Sequence, residues 1–286
     1  MKLIKQSVEY LPQGEGIQGI YDQIERGGRI CYKSEPKGDS KAFVDMLIKK
    51  GHLSPLEHGT VYLKMNDFVD CLVYFYGKNP YSIINKNEFD DNQCYVSTNY
   101  RTLIENNRLD DLKYLCRRTE HHVRRYTFKI TTSIGIGREL MRHRKISFSQ
   151  ESTRYCNYAS NKHGNELTFI IPGWYEQFKK DKLDDTGHRP DGTSDMFTIE
   201  GDFTDILKMS EATYNAMLTA GGTPQQARDV LPLATKTEII ATGTIIDWYN
   251  FLKLRNPEFG AKGVHPDMTE LSGMIYDILK TETNEA

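Results

Sequence analysis

No stretch of this 286-residue chain approaches the ~20 consecutive apolar residues that span a bilayer, so no membrane helix is expected. The opening "MKLIKQSVEY" has neither an apolar core nor a small-residue cleavage site, and is not read as a signal peptide. Cysteine is scarce and unpaired by pattern. The five residues Cys31, Cys71, Cys94, Cys116 and Cys156 include no C-x-x-C, which points to free thiols in the cytoplasm. A net charge of only -2 argues against a dedicated nucleic-acid binder, which carries a basic excess. Hydrophobic residues make up a lean 38%, yet 11% aromatics speak against disorder and leave room for a large polar cavity or a shared subunit surface.

Several catalytic signatures are also missing. There is no P-loop, G-x-S-x-G, G-x-G-x-x-G or H-E-x-x-H, and "SIGIGRE" has glycines at spacing two only. His121 and His122 are adjacent and so do not point at one metal; no metal site is expected. No cysteine lies in a nucleophile signature, although Cys156 is close in sequence to arginines that favour a thiolate.

Local pattern suggests an α+β chain. "KLIKQSVEY" reads as a strand, and "GIQGIYDQIERGGRICYKS" as a helix ended by Gly27-Gly28. "DSKAFVDMLIKKG" reads as a helix and "GTVYLKMND" as a half-buried strand. "NEFDDNQCYVSTNYRTLIENNRLDDLKYLCRR" suggests a loop followed by one or two short helices. "RRYTFKITTSIG" is β-rich, "IGRELMRHR" a short helix, and "ELTFIIPGWY" an apolar β-branched run stopped by Pro172. The acidic segment "KKDKLDDTGHRPDGTSDMFTIEGD" suggests a surface loop. Four helices are expected in the last third: "DILKMSEATYNAMLTAGG", "TPQQARDVLP" with a capping box at Thr223 and Gln226, "KTEIIATGTIIDWYNFLKLRN", and "HPDMTELSGMIYDILK".

Against this neutral background the stretch "LMRHRKISFSQESTRYC" concentrates Arg142, Arg144 and Arg154 among Ser147, Ser149, Gln150, Ser152 and Thr153. Guanidinium groups grip phosphate at two points, and the hydroxyl and amide groups add donors. A solvated basic face paired with acids such as Glu139 is the plain alternative. His52 and His58 in "GHLSPLEHG", and Arg228 and Arg255 on helices, are each, taken alone, as compatible with a structural role as with a ligand.

Taken together these segments resemble the flavin-dependent thymidylate synthases. "RHRKISFSQES" matches their R-H-R-x7-S signature at Arg142, His143, Arg144 and Ser152. "GHLSPLEH" is similar to the upstream G-H-x-[ST]-P-x-E-H segment, "QARDVLP" to A-R-x-x-L-P, and "NFLKLR" to N-F-L-x-L-R. The order and rough spacing fit from Gly51 onward, with about 66–118 read as an insertion typical of a longer branch of the family, within a single catalytic domain over 1–286.

The resemblance implies a mixed sheet flanked by helices, a site formed between the subunits of a homotetramer, and conversion of dUMP to dTMP. Methylenetetrahydrofolate would give the carbon unit and FAD reduced by NADPH the hydride, with no cysteine nucleophile. By the same resemblance Arg255 polarises the uracil. Glu139, Arg142, Gln150, Glu151, Ser152, Thr153, Arg154 and Arg228 would meet dUMP. His52, Ser54, Arg142, His143, Arg144, Gln150, Thr244 and Asn250 would meet FAD. Ser152 is expected to bind rather than attack. The chain departs from many members in having Thr244 and Ile246 where they have N-x-R, and Glu139 where they have Gln.

Overall fold

The computed structural model describes residues 1–31, 33–36, 38–66, 75–87, 90–158, 166–175 and 199–284. At its centre is a four-stranded antiparallel sheet in the order β2 (Ser7–Tyr10), β6 (Arg125–Ser133), β9 (Lys236–Thr244), β7 (Ser147–Gln150). The ladder of β6 with β9 runs from Arg125 opposite Thr244 to Ser133 opposite Lys236. Side chains alternate across a strand, so this register sorts the residues into two faces. Tyr126, Phe128 and Ile130 share one face with Ile239 and Ala241. They form the main core with Trp248, Phe251, Leu271 and Ile275 of the helices behind. The opposite face carries Arg125, Thr127 and Lys129 beside Glu238, Ile240 and Thr242, and it is polar.

Helix α1 (Gly16–Ile30) and the turn Ser54–His58 lie on that polar face. His58 is fully buried there between Thr242 Oγ1 (2.8 Å from Nδ1) and Ser149 Oγ (2.9 Å from Nε2). Burial, with Arg125 adding repulsion, pulls its pKa down to about 3, so the ring is neutral and its two nitrogens have one donor and one acceptor role to share.

A second sheet orders β3 (Thr60–Asn66), β5 (Asp90–Asn99) and β4 (Ile83–Asn87), all antiparallel. It shares a core with α1 and α2 (Ser40–Lys49) through Ile20, Ile24, Val44, Leu47 and Val96. Helix α3 (Tyr100–Glu105) and a 3-10 turn at Leu109–Tyr114 follow. Strands β1 (Lys2–Ile4) and β8 (Thr168–Ile170) pair in parallel. Further helices are α4 (Ile134–Leu140), α5 (Ile199–Thr219), α6 (Pro224–Ala227), α7 (Ile245–Arg255) and α8 (Pro266–Asn284). The α+β class expected from the sequence is present.

Four local expectations are corrected. The first strand is two, β1 and β2, which join different sheets. The segment before Asn99 is not a loop: its β-branched and aromatic residues Tyr95, Val96 and Thr98 sit in β5, between two partners that sequence alone does not reveal. "KTEIIATGT" is the strand β9, and α7 begins only at Ile245, where Thr244 and Asp247 form a capping box. The acidic loop expectation falls mostly outside the described residues, apart from 199–202 at the start of α5.

The fourth correction is α1, which does not stop at Gly27-Gly28 but continues to Ile30. These glycines are there for space. A Cβ on Gly27 would lie 2.4 Å from the His58 ring, and one on Gly28 2.7 Å from Phe43. Gly27→Ala is therefore expected to destabilise the protein by about 1–3 kcal/mol in thermal or denaturant unfolding, because overpacking outweighs the gain of roughly 1 kcal/mol in helix propensity. A stabilised variant would show that the His58 ring yields.

Candidate active site

The short helix α4 begins at Ser133, whose hydroxyl accepts the Ile136 N–H, and ends at Leu140, so that Glu139, Arg142 and His143 lie at its C-terminal end. Helix α7 ends at Arg255 beside them, because Trp248, Phe251 and Leu252 anchor it in the main core. The result is a three-residue group. Arg255 Nη1 donates to Glu139 Oε2 at 2.8 Å, and Arg255 Nε donates to His143 Nε2 at 3.2 Å. The His143 ring meets Phe251 edge-on at 5.0 Å. Two of the three guanidinium nitrogens are thus fixed, while Nη2 has no partner among the described residues. The acid at position 139 orients this arginine.

His143 can accept from Arg255 only while Nε2 is unprotonated. Burial first, then Arg255 and Arg142, pull its pKa down to about 4. An unfolded histidine titrates near 6.5. As pH falls below 6.5 the unfolded chain takes up the proton first, so the native state loses stability from about 6.5 down to about 4. An NMR titration of the imidazole is expected to give a midpoint near 4. A midpoint near 6.5 would show that neither burial nor the arginines perturb the ring, and the acid-side loss of stability would then be absent.

A second group forms where the chain leaves β7. Ser152 N–H donates to the Cys31 carbonyl at 3.1 Å, and the Ser152 hydroxyl accepts the Arg154 N–H at 3.3 Å, which makes a tight turn. Arg154 is exposed; its Nε donates to Gln225 Oε1 at 3.0 Å, on α6. Arg228 Nη1 reaches Thr153 Oγ1 at 3.5 Å. The predicted capping box at Thr223 and Gln226 is present and sets α6 at this place. Gln150 faces the other way and donates to Thr237 Oγ1 at 3.1 Å. The side chains of Ser152, Thr153, Arg154 and Arg228 are thus brought to one neighbourhood. No hydrogen bond joins them to Arg255, His143 or Glu139 among the described residues.

Other expected ligands are placed differently. Arg142, Arg144, His52, Ser54 and Asn250 are exposed, and neither Arg142 nor Arg144 has an ion pair among the described residues. Thr244, one of the expected flavin contacts, is the N-cap of α7. It is buried, and both its N–H and its hydroxyl lie on Asp247 Oδ2 (3.0 and 2.6 Å), so it caps α7 and has no donor left for a ligand. Glu151 is also turned inward. Its fully buried carboxylate accepts from Lys236 Nζ at 2.7 Å, with Lys33 Nζ 3.8 Å away. Neither lysine is picked out by the sequence. Lys236 starts a strand whose local pattern also fits a helix, and Lys33 carries no local signal.

Among the described residues no group of three His, Cys, Asp or Glu side chains could hold a metal ion, and Cys31, Cys94 and Cys116 are free thiols. No helix among them is long and apolar enough to cross a membrane.

The family described as thymidylate synthase complementing protein matches residues 92–283. The "GHLSPLEH" segment lies before that range. Among curated proteins, the chain is 27% identical over 150 residues to a probable flavin-dependent thymidylate synthase of Paramecium bursaria Chlorella virus 1, a stretch covering 52% of this chain and 65% of that protein. It is 26% identical over 151 residues to the flavin-dependent thymidylate synthase of Aquifex aeolicus, covering 52% and 45%. It is 32% identical over 124 residues to that of Mycobacterium tuberculosis, covering 42% and 44%. The match spans less than two thirds of each relative's length. Among solved structures, a UMP/dUMP methylase PolB from Streptomyces cacaoi, bound with 5-Br dUMP, aligns over 98% of this chain and 93% of that one, at 17% identity and a TM-score of 0.46.

Proposed function

We propose, since this chain belongs to the thymidylate synthase complementing protein family, that it converts dUMP to dTMP as a flavin-dependent thymidylate synthase, with methylenetetrahydrofolate as carbon donor and FAD reduced by NADPH. The observation that carries the reading is Arg255, held by Glu139 and His143 with one guanidinium nitrogen open. A fixed cation beside the uracil carbonyl and N3 favours the electron-rich form whose carbon 5 attacks the carbon unit. Preorganised charge of this kind is the largest single contribution in many enzymes. Glu139 offsets part of that charge and aims the rest.

Arg154 and Arg228, with the Ser152 and Thr153 hydroxyls, are the donors suited to the nucleotide phosphate. The residues fit a flavin dinucleotide. Arg142 and Arg144 are exposed cations without an ion pair among the described residues, His143 is neutral, and Asn250, His52 and Ser54 present exposed polar groups. When bound, the flavin supplies the reducing equivalents. Thr244 serves this site by starting α7 at the right residue, so that Arg255 falls one turn after Phe251. We read the site as completed by neighbouring copies in a homotetramer. We read the chain as one catalytic domain over 1–286, with about 66–118 inserted, working in the cytoplasm on small molecules and binding neither nucleic acid nor membrane.

The experiment is the visible absorbance spectrum of the purified protein, before and after FAD and with and without dUMP, followed by an assay of dTMP. A flavin spectrum that shifts with dUMP, together with dTMP formation, is the expected result. No bound flavin and no dTMP under any condition would sink the reading.

A further inference from the structure

One cavity is built from residues that this reaction does not use. It lies where the loop from Tyr10 to Gly16 meets residues 115–118 and the start of β6, and it encloses about 360 Å3. Arg117, Arg118, Arg124 and Arg125 all line it, and none of the residues ascribed above to dUMP or FAD does.

The counter-ions do not cover these four charges. Arg117 pairs with Glu15 at 2.5 Å, and Arg124 with Glu282 at 2.6 Å. Arg118 is exposed and has no ion pair among the described residues. Arg125 donates from Nη2 to the Glu57 carbonyl at 2.9 Å, while its Nε is buried with no acceptor among the described residues. The two acids that act on Arg125 are engaged elsewhere: Glu57 with Arg101 at 2.6 Å, and Asp247 in the cap of α7. Among the described residues no carboxylate is in ion-pair reach of Arg125, whose Nε is buried, and an incoming anion would offset the cost of that partly desolvated charge.

A third feature points the same way. Glu15 and Gly16, at the N-terminus of the 15-residue helix α1, also line the cavity. Glu15 is the N-cap, yet its side chain caps nothing and turns to Arg117. The first N–H groups of α1 are therefore without a side-chain cap, and together with the helix dipole they favour an anion.

We propose that this cavity binds a phosphate monoester of mononucleotide size, held by Arg118, Arg125 and the start of α1, at a site distinct from that of dUMP and the flavin. Two guanidinium groups that lack an ion pair among the described residues match the charge of about -1.5 to -2 on a phosphate monoester at neutral pH, whereas a carboxylate would balance only one. Leu11, Pro12, Ile20 and Leu115 line the same space and suit the organic part of such a ligand.

The test is isothermal titration calorimetry of the full chain with AMP and, separately, with inorganic phosphate. AMP is expected to bind the wild type, to bind Arg118→Ala at least tenfold more weakly, to fail with Arg125→Met, and to bind Arg228→Ala as it binds the wild type. Arg118 is exposed, so its variant decides the matter even if Arg125→Met does not fold. Four outcomes would overturn the proposal. AMP does not bind the wild type at millimolar concentration; or its binding survives Arg118→Ala; or it is lost in Arg228→Ala, which places AMP in the dUMP site; or inorganic phosphate binds as tightly as AMP, which leaves a free-phosphate site. The test reads binding alone, so it stands whether or not the chain makes dTMP.

Discussion

Arg255→Ala is expected to lower the rate of dTMP formation by about 10²–10³-fold, the loss typical of removing one preorganised donor from a developing anion. The loss should fall on kcat, with the KM for dUMP changing far less, because the phosphate would be held by Arg154 and Arg228 in the other group. Flavin binding, followed by absorbance, should be retained. Arg255 lies between an acid and a neutral histidine, so its removal also leaves Glu139 with no cation at 2.8 Å. Glu139→Gln separates aiming from charge: the amide oxygen still accepts from Nη1, and the expected loss is smaller than for Arg255→Ala. Wild-type turnover in Arg255→Ala would overturn the polarising role given to this residue. Loss of flavin binding in the same variant would turn that role into a structural one.

The largest expected effect on stability comes from Lys236→Met. Glu151 has no side-chain exposure, its Oε2 depends on Lys236 at 2.7 Å, and its Oε1 is buried with no hydrogen-bond partner among the described residues. Lys33 at 3.8 Å is too far to replace that bond. Removing one partner of a buried ion pair costs about 3–5 kcal/mol, and Glu151 would keep only the more distant Lys33 as a counter-charge. For a chain of this length, that is a fall in Tm on the order of 10 °C. The double variant Lys236→Met with Glu151→Leu should regain most of the loss, because an apolar pair needs no counter-ion. If the single variant keeps the wild-type Tm, Glu151 is protonated or reached by another cation. If the double variant stays as unstable as the single one, the loss comes from packing rather than charge.

Local chemistry makes some features legible in the sequence. The capping box at Thr223, the apolar spacing of α2, α5 and α8, and the β-branched run of β6 depend on neighbours a few residues away, and each is present. The gathering of Ser152, Thr153, Arg154 and Arg228 needs only the motif resemblance, and the fold brings these four together. The expectations that fail depend on distant partners. Two glycines predict a helix stop, but their missing side chains make room for His58 and Phe43, which come from later elements. "KTEIIATGT" has apolar residues compatible with either period, and it is a strand because β6 and β7 pair on both of its sides.

The sequence by itself determined the family and the charged and hydroxyl residues that make up its motifs, since these are properties of residue type and spacing. Only the tertiary structure decided which of those residues act on one another. It turned Glu151 inward onto Lys236, used the Thr244 hydroxyl as a helix cap, and aimed Arg255 through Glu139 and His143. Burial and pairing are set by strands and helices far apart in the chain: Glu139 and Arg255 are 116 positions apart, a relation that no local pattern encodes.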